Sequence, residues 1–327
     1  MEKPKVSVII PCYNAENTIR STIDSLKGQT YKDFEVVFVN DGSTDNTLNV
    51  IEDHMMDSGI RYTIITQQNG GVSLARNTGI GISKGEYIMF LDGDDIYHWR
   101  MIEYLVGQME SMKTDTAFCS YSRNIDDLLN VKYHNVSGVT LLDNYKLQEY
   151  FLFNYIPCGM PMFIYKKQVI DKFKIQFTPN TKYGEDREFA WKYLCHCNSG
   201  AAIDMELYGY YNNPKSAVNN VSIDKMDLLT AIYRVDEYLE KNSSSFYPVF
   251  HKLASSRTLW AILKTFSKAN RKDLFKTCIS RKEAKKHMIR LLRYPDSRIK
   301  ITALLYIISP SLFFLFIKKF YQIGGSK

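Results

Sequence analysis

The sequence predicts an α/β protein: a mostly parallel central sheet with helices on both faces, followed by a C-terminal helical extension. Three observations carry that expectation. From Val6 to Leu91, short Val/Ile/Phe-rich runs alternate with amphipathic stretches; each apolar run ends in a polar turn rich in Asp, Asn or Gly; and strand signals stop near Ile223, where long amphipathic segments begin. Strands that alternate with helices pair in parallel and are covered on both faces.

Taken in order, Val6 to Ile10 reads as a strand, Asn17 to Leu26 as a helix, Glu35 to Val39 as a strand and Thr47 to Met56 as a helix. Arg61 to Thr66, Val72 to Ser83 and Tyr87 to Leu91 repeat the rhythm as strand, helix and strand. Apolar runs at Ala117 to Tyr121, Met162 to Tyr165 and Leu207 to Tyr211 are expected to extend the same sheet. A first domain over residues 1–222 then gives way to a helical region over 223–327, with amphipathic helices at Lys225 to Glu240, Tyr247 to Phe266 and Arg281 to Leu292. Ile301 to Ile317 is nearly all apolar, interrupted by Ser309-Pro310-Ser311 and flanked by Lys300 and Lys318-Lys319. At about 1.5 Å per residue it barely matches a hydrocarbon core of about 30 Å, and the central Pro argues against a straight span. Two half-helices lying in a membrane interface are expected, with a helix buried against the domain as the alternative.

At 327 residues, 45% hydrophobic and 24% charged, the chain has an ordinary globular composition. Its net charge of +7 hides an asymmetry, because residues 251–327 hold 18 Lys/Arg against 3 Asp/Glu, leaving 24 against 32 before them. A basic tail on an acidic body points to a polyanionic partner, an anionic membrane surface or nucleic acid. The tail's cations are not interleaved with aromatic residues, which argues against nucleic acid. The six cysteines, at positions 12, 119, 158, 195, 197 and 278, have no paired spacing and read as reduced thiols. Met1 to Lys5 runs straight into the first strand without a basic-then-apolar leader, so the expected location is the cytoplasm, with peripheral contact at the inner face of the membrane.

The chemistry-bearing residues follow the strands. Asp92-Gly93-Asp94, with Asp95 behind, closes the run Tyr87-Ile88-Met89-Phe90-Leu91, placing carboxylates at a strand's C-terminal tip, the edge where open α/β sheets bind ligands. Hard oxygen ligands there suit Mg²⁺ or Mn²⁺ holding a diphosphate. After the first strand, Pro11-Cys12-Tyr13-Asn14-Ala15-Glu16-Asn17 lacks the Gly-x-Gly-x-x-Gly of a dinucleotide site, which excludes a nicotinamide enzyme. The second strand ends in Asn40-Asp41-Gly42-Ser43-Thr44-Asp45, and the third in Asn69-Gly70-Gly71, opening a helix that carries Arg76 one turn in, a ready anion site. Further on, Tyr183-Gly184-Glu185-Asp186-Arg187-Glu188 opens another helix. Helical spacing sets Asp186 with Phe189, Ala190 and Tyr193, and Glu185 with Glu188 and Lys192, so Asp186 is expected to face inward with the raised pKa of a general base.

The stretches V-S-V-I-I-P-C-Y-N-A-E-N-T-I, V-N-D-G-S-T-D-N-T, G-G-V-S-L-A-R-N-T-G and Y-I-M-F-L-D-G-D-D resemble the signature of family 2 glycosyltransferases with the GT-A fold, of the bacterial cell-surface polysaccharide type, over residues 5 to about 215. The resemblance implies a nucleotide-diphospho-sugar donor, a UDP-sugar, with Pro11, Tyr13 and Glu16 near base and ribose, Asp41 bonding the base, and Arg76 beside the donor. It further implies Asp92 at the ribose or donor sugar, Asp94 on Mn²⁺ or Mg²⁺, and Asp186 as the base for an inverting transfer to a glycan or lipid-linked glycan. The chain departs from the family habit at Asn212, where Arg is common and for which Lys215 is a weak substitute. Two other classes share these features, a nucleotidyltransferase and a nucleotide-sugar-binding module without turnover. The first wants a Gly-rich, basic loop after the first strand, which Pro11 to Asn17 does not supply; intact Asp92, Asp94 and Asp186 argue against the second.

Overall fold

The computed structural model describes residues 2–131, 137–211 and 220–323; Asn212 and Lys215 lie outside them. Two compact units emerge, one of residues 1–180 with 189–213 and one of residues 181–188 with 214–327.

In the first unit, β1 (Val6–Cys12), α1 (Ile19–Lys27), β2 (Phe34–Asn40), α2 (Thr47–Met55), β3 (Arg61–Thr66), α3 (Val72–Ile82) and β4 (Tyr87–Phe90) follow the predicted alternation. After them come β5 (Ile96–Tyr97), α4 (Met101–Met112), β6 (Thr116–Ser122), α5 (Ile125–Asn130), β7 (Val139–Asp143), α6 (Asn144–Phe153), β8 (Phe163–Lys166) and α7 (Lys167–Phe173). The helix α8 (Glu185–Leu194) and strand β9 (Ser199–Gly209) complete it, with the unit boundary inside α8. The sheet runs β3-β2-β1-β4-β8-β6-β9-β5, with β7 paired to β9. The four strands β3 to β4 are parallel, as the βα rhythm requires. Beyond β4 the sheet becomes mixed: β8 is antiparallel to both β4 and β6, and β9 is antiparallel to β5 and β7 while parallel to β6.

Strands β1, β2 and β4 are buried along nearly their whole length, so they read as continuous apolar runs, whereas β3 at the sheet edge is half-exposed. Beside β4, Phe90 meets Tyr165, Phe177 and Phe189 edge to face at 5.7, 5.4 and 5.6 Å between ring centroids, the offset geometry aromatic quadrupoles favour.

The second unit is helical: α9 (Asp227–Lys241), α10 (Tyr247–Lys268), α11 (Lys272–Thr277), α12 (Arg281–Leu291), α13 (Ser297–Ile308) and α14 (Pro310–Ile323). The apolar C-terminal segment breaks at Ser309, and Pro310 opens α14, where its missing N–H costs nothing. The two helices are each covered on one side. Ile299, Ala303 and Tyr306 of α13 and Phe313, Phe314 and Ile317 of α14 are buried, while Ile301, Leu304, Ile308, Leu312, Leu315 and Phe320 are exposed. Among the described residues no helix is long and apolar enough to cross a membrane.

Candidate active site

Parallel register brings the C-terminal ends of β3, β2, β1 and β4 to one rim, with Cys12 beside Asn40 and Asn40 beside Thr66. Strand order reverses about β1, flanked by β2 and β4, and such a switch point opens a crevice for ligands. Asp41, only 3% exposed, lies at the centre of this rim. Its Oδ1 accepts from Gln67 Nε2 at 2.7 Å and Gly70 N–H at 2.9 Å, and its Oδ2 from Gly71 N–H at 2.8 Å. The carboxylate therefore ties the β2 loop to the glycine turn that opens α3. Gly42 is required beside it: its φ is +74°, and a Cβ there would meet the Asn69 nitrogen at 2.9 Å. Since each carboxylate oxygen accepts about two hydrogen bonds, Oδ2 keeps one lone pair for a ligand.

Arg76 and Asp92, both expected near the donor, are bonded to each other, Nη2 to Oδ1 at 2.7 Å. The guanidinium is nearly buried and lies 5.3 Å from the Phe177 ring centroid, whereas Asp92 is one-third exposed. Arg76 thus fixes the direction of Asp92 from below. One turn ahead on the same buried face of α3, Ser73 Oγ has no hydrogen-bond partner among the described residues. An orphaned buried hydroxyl at a helix start is a group awaiting a polar partner.

Asp94 is half-buried at the rim. Asp95, which the sequence reading left without a role, is 2% exposed and anchors the acidic turn: Tyr208 Oη donates to its Oδ2 at 2.6 Å and Tyr211 N–H to its Oδ1 at 2.8 Å. Burial, with the charge of Asp92 close by, pushes the Asp95 carboxyl up to about 8. The link to β9 spans more than a hundred residues, so no local pattern could have revealed it.

Tyr13 stands 54% exposed on the rim with Pro11 half-buried before it. Their loop is stitched to the β2–α2 loop: Glu16 Oε2 accepts from Asn46 N–H at 2.9 Å, Asp45 Oδ2 from Glu16 N–H at 3.1 Å, and Asn14 Oδ1 from Thr44 N–H at 2.8 Å. Glu16 is thus a loop clamp as well as a candidate ligand contact. Pro11, Tyr13, Glu16, Asp41, Arg76, Asp92 and Asp94 all belong to this rim of the first unit.

Asp186 is placed by the second unit. Residues 181–188 are held to the start of the helical region by an ion pair between Lys182 and Asp224, by Lys182 N–H to Asp227, and by Arg234 Nη2 to Thr181 Oγ1 at 3.0 Å. The inward placement expected for Asp186 is corrected here. Asp186 is half-exposed at the first turn of α8, where its Oδ1 accepts from Arg187 N–H at 2.7 Å. Glu188, expected on the outer face, is instead 0% exposed and bonded to Arg234 of α9, Nε to Oε2 at 2.9 Å. The distant guanidinium turns the helix so that Glu188 is the buried acid. Replacing Arg234 with Met is expected to destabilise the chain by about 3–5 kcal/mol, because the buried Glu188 carboxylate loses its guanidinium partner. A denaturant midpoint measures this, and adding Glu188→Leu is expected to restore most of the loss.

The donor set fits a hard divalent cation that completes its shell elsewhere. Asp92 and Asp94 present carboxylate oxygens on a half-exposed turn, and among the described residues no three His, Cys, Asp or Glu side chains gather as a self-sufficient cage. Mg²⁺ and related ions are commonly held in this way, by one or two carboxylates plus substrate phosphates.

Residues 7–175 match the Glycosyl transferase family 2 model, more than half of the chain. A poly(ribitol-phosphate) β-N-acetylglucosaminyltransferase, TarP of Staphylococcus aureus, is 34% identical over 68% of this chain and 67% of its own length. The chain spans 62% and 67% of the first two curated relatives it matches. In fold it is similar to S. aureus TarS residues 1–349 solved with UDP-GlcNAc, with a TM-score of 0.63 at 19% identity, covering 98% of this chain and 92% of that one. A mannosyltransferase from Pyrobaculum calidifontis, solved with GDP-Man and Mn²⁺, gives a TM-score of 0.54 at 17% identity over 96% and 88%. Sequence motifs, rim geometry and these matches agree: the chain belongs to glycosyltransferase family 2.

Proposed function

We propose that this chain is an inverting glycosyltransferase that uses Mn²⁺ or Mg²⁺ to move one sugar from a UDP-sugar to a hydroxyl of a glycan or lipid-linked glycan, in the making of a cell-surface polysaccharide. The observation that carries this reading is the single rim on which Asp41, the Gly70–Gly71 turn, the Arg76–Asp92 pair and half-buried Asp94 converge. Family membership supports the transfer chemistry. UDP-GlcNAc on TarS supports a uridine donor, and Mn²⁺ on the mannosyltransferase supports the cation.

In this reading Pro11, Tyr13 and Glu16 flank the base and ribose, and the spare lone pair of Asp41 Oδ2 accepts from the base. Arg76 holds Asp92 toward the ribose or sugar. Asp94, with Asp92 beside it, would hold the divalent ion, which when bound neutralises the charge that builds on the departing diphosphate. Asp186 takes the proton from the acceptor hydroxyl as that oxygen attacks the anomeric carbon opposite the leaving group, so one displacement inverts the centre. The basic, apolar C-terminal region supports a peripheral position on the anionic inner face of the membrane, where lipid-linked acceptors lie.

A thermal-shift panel of nucleotide sugars with Mn²⁺ tests the donor assignment, since a ligand that binds only the folded state raises its apparent stability. UDP-sugars are expected to raise the melting temperature more than GDP- or CMP-sugars. A flat response to the whole panel overturns the proposal.

A further inference from the structure

In the helical unit, α10, α13 and α14 enclose a cavity of about 320 Å³, within the range of about 300–1,000 Å³ typical of small-molecule sites. Its lining has two characters. Arg257, Trp260 and Lys264 come from one face of α10, spaced three and four residues apart, and Arg298 comes from α13; Phe316 and Phe320 of α14 supply an apolar side. The Trp260 ring is clamped between cations, with the Arg257 guanidinium 4.7 Å and Lys264 Nζ 5.1 Å from its centroid, and its Nε1–H donates to Thr302 Oγ1 at 2.8 Å. The one acid in the lining, Asp296, is paired with Arg298 at 2.9 Å.

Arg257 is the group that needs explaining. It is half-buried, and burial lowers its pKa from the ordinary value; the Tyr294 side chain hydrogen-bonds it, the Asp296 carboxylate favours its charged form, and Arg187 adds like charge nearby. Among the described residues no carboxylate forms an ion pair with it. With Arg257, Lys264 and Arg298 against the single carboxylate of Asp296, the lining carries an excess of positive charge that attracts an entering anion.

The cavity also adjoins an apolar surface. Tyr306 of α13 and Phe313 of α14 pack on Phe275 of α11, each at 6.0 Å between centroids, so the two helices bury one common side. Ile301, Leu304 and Ile308, and Leu312, Leu315 and Phe320, run along the opposite sides at helical spacing, 46 to 61% exposed. Phe316 and Phe320 belong both to this stripe and to the cavity wall. Arg298, Lys300, Lys318 and Lys319 flank the stripe. A second copy of the chain seated here would bring like charges together, whereas an anionic bilayer complements them.

We propose that this cavity is a lipid-headgroup site: the phosphodiester of an anionic phospholipid in a bilayer docks against Arg257, Lys264 and Arg298 while its acyl chains run over Phe316 and Phe320 along the exposed stripe. This rests on the peripheral membrane position proposed above and gives it a specific contact.

The test is flotation of the full chain with vesicles of phosphatidylcholine alone, or of phosphatidylcholine mixed with phosphatidylglycerol. Wild-type protein is expected to prefer the mixed vesicles by about tenfold or more, and the Arg257→Gln/Lys264→Gln variant to lose that preference. A variant with the same charge removed on the exposed face of α12, Lys282→Gln/Lys285→Gln, is expected to stay within about threefold of wild type. Thermal melting of each variant checks folding, and if the double variant is unfolded the Lys264→Gln single variant is read instead. Equal losses in the two double variants overturn the headgroup site and leave a diffuse membrane contact standing. No flotation of the wild type overturns both. Displacement from the mixed vesicles by dilute inorganic phosphate makes the cavity a soluble-anion site, and dimerisation that covers the stripe, seen by sedimentation, assigns it to a second copy; either result overturns the lipid.

Discussion

Replacing Asp186 with Asn is expected to lower kcat for sugar transfer by about 10²–10⁴-fold, the range a positioned general base contributes, with the melting temperature and UDP affinity nearly unchanged. The substitution is informative because it separates a catalytic role of Asp186 from a structural one. Its Oδ1 accepts from Arg187 N–H in the first turn of α8, a contact that an Asn oxygen reproduces. What Asn cannot do is take a proton from an attacking hydroxyl. The rest of the segment is anchored independently by Glu188–Arg234 and Lys182–Asp224, so loss of the charge should leave the backbone in place. A fall in kcat with KM for the donor unchanged identifies Asp186 as the base; a matching fall in stability would reduce it to a structural residue of the first turn. Half-exposure is consistent with the role, since an acceptor-facing base must meet a substrate arriving from solvent.

Replacing Asp94 with Ala is expected to reduce Mn²⁺-dependent donor turnover by about 10³-fold, because stabilisation of charge on a leaving phosphate by a bound cation is worth several kcal/mol. The loss should be confined to metal and donor. The buried member of the acidic turn is Asp95, which holds the turn to Tyr208 and Tyr211, and the oriented member is Asp92, gripped by Arg76. Both anchors survive in the variant, so the turn keeps its shape. UDP release with and without Mn²⁺ measures the effect. Undiminished turnover would mean that Asp94 is not the ligand.

The parallel half of the fold was readable because each of its elements carries its own local signal. Arg61–Thr66 matches the predicted strand, and the remaining early elements differ by a few terminal residues. Such drift is expected where helix ends fray and caps compete. The mixed half was not readable for equally physical reasons. Strand β5 has two residues, and β9 includes the small residues Gly200-Ala201-Ala202, which pack tightly without the β-branched signature of a strand. The C-terminal segment showed its break at Ser309-Pro310 but not which side of each helix would be covered, because both sides are apolar.

That the strand-tip residues share one rim was legible because their chemistry is local: an acid, a glycine turn and a cation at the ends of legible strands. The partners that orient them were not. Gln67 bonding Asp41, Arg76 gripping Asp92 and Tyr208 holding Asp95 are set by strand order and loop approach. The expectation that Asp186 faces inward failed for the same reason. Helical spacing alone favoured it, and Arg234, 46 residues along the chain, decided instead for Glu188.

Calorimetric titration of Mn²⁺ with and without UDP tests most directly whether this rim seats a nucleotide diphosphate on a cation. Because no carboxylate cage gathers among the described residues, the protein is expected to bind Mn²⁺ weakly alone and at least about tenfold more tightly once UDP is present, with the coupling lost in the Asp94→Ala variant. Equal Mn²⁺ affinity in the two titrations, or coupling that persists without Asp94, would contradict it.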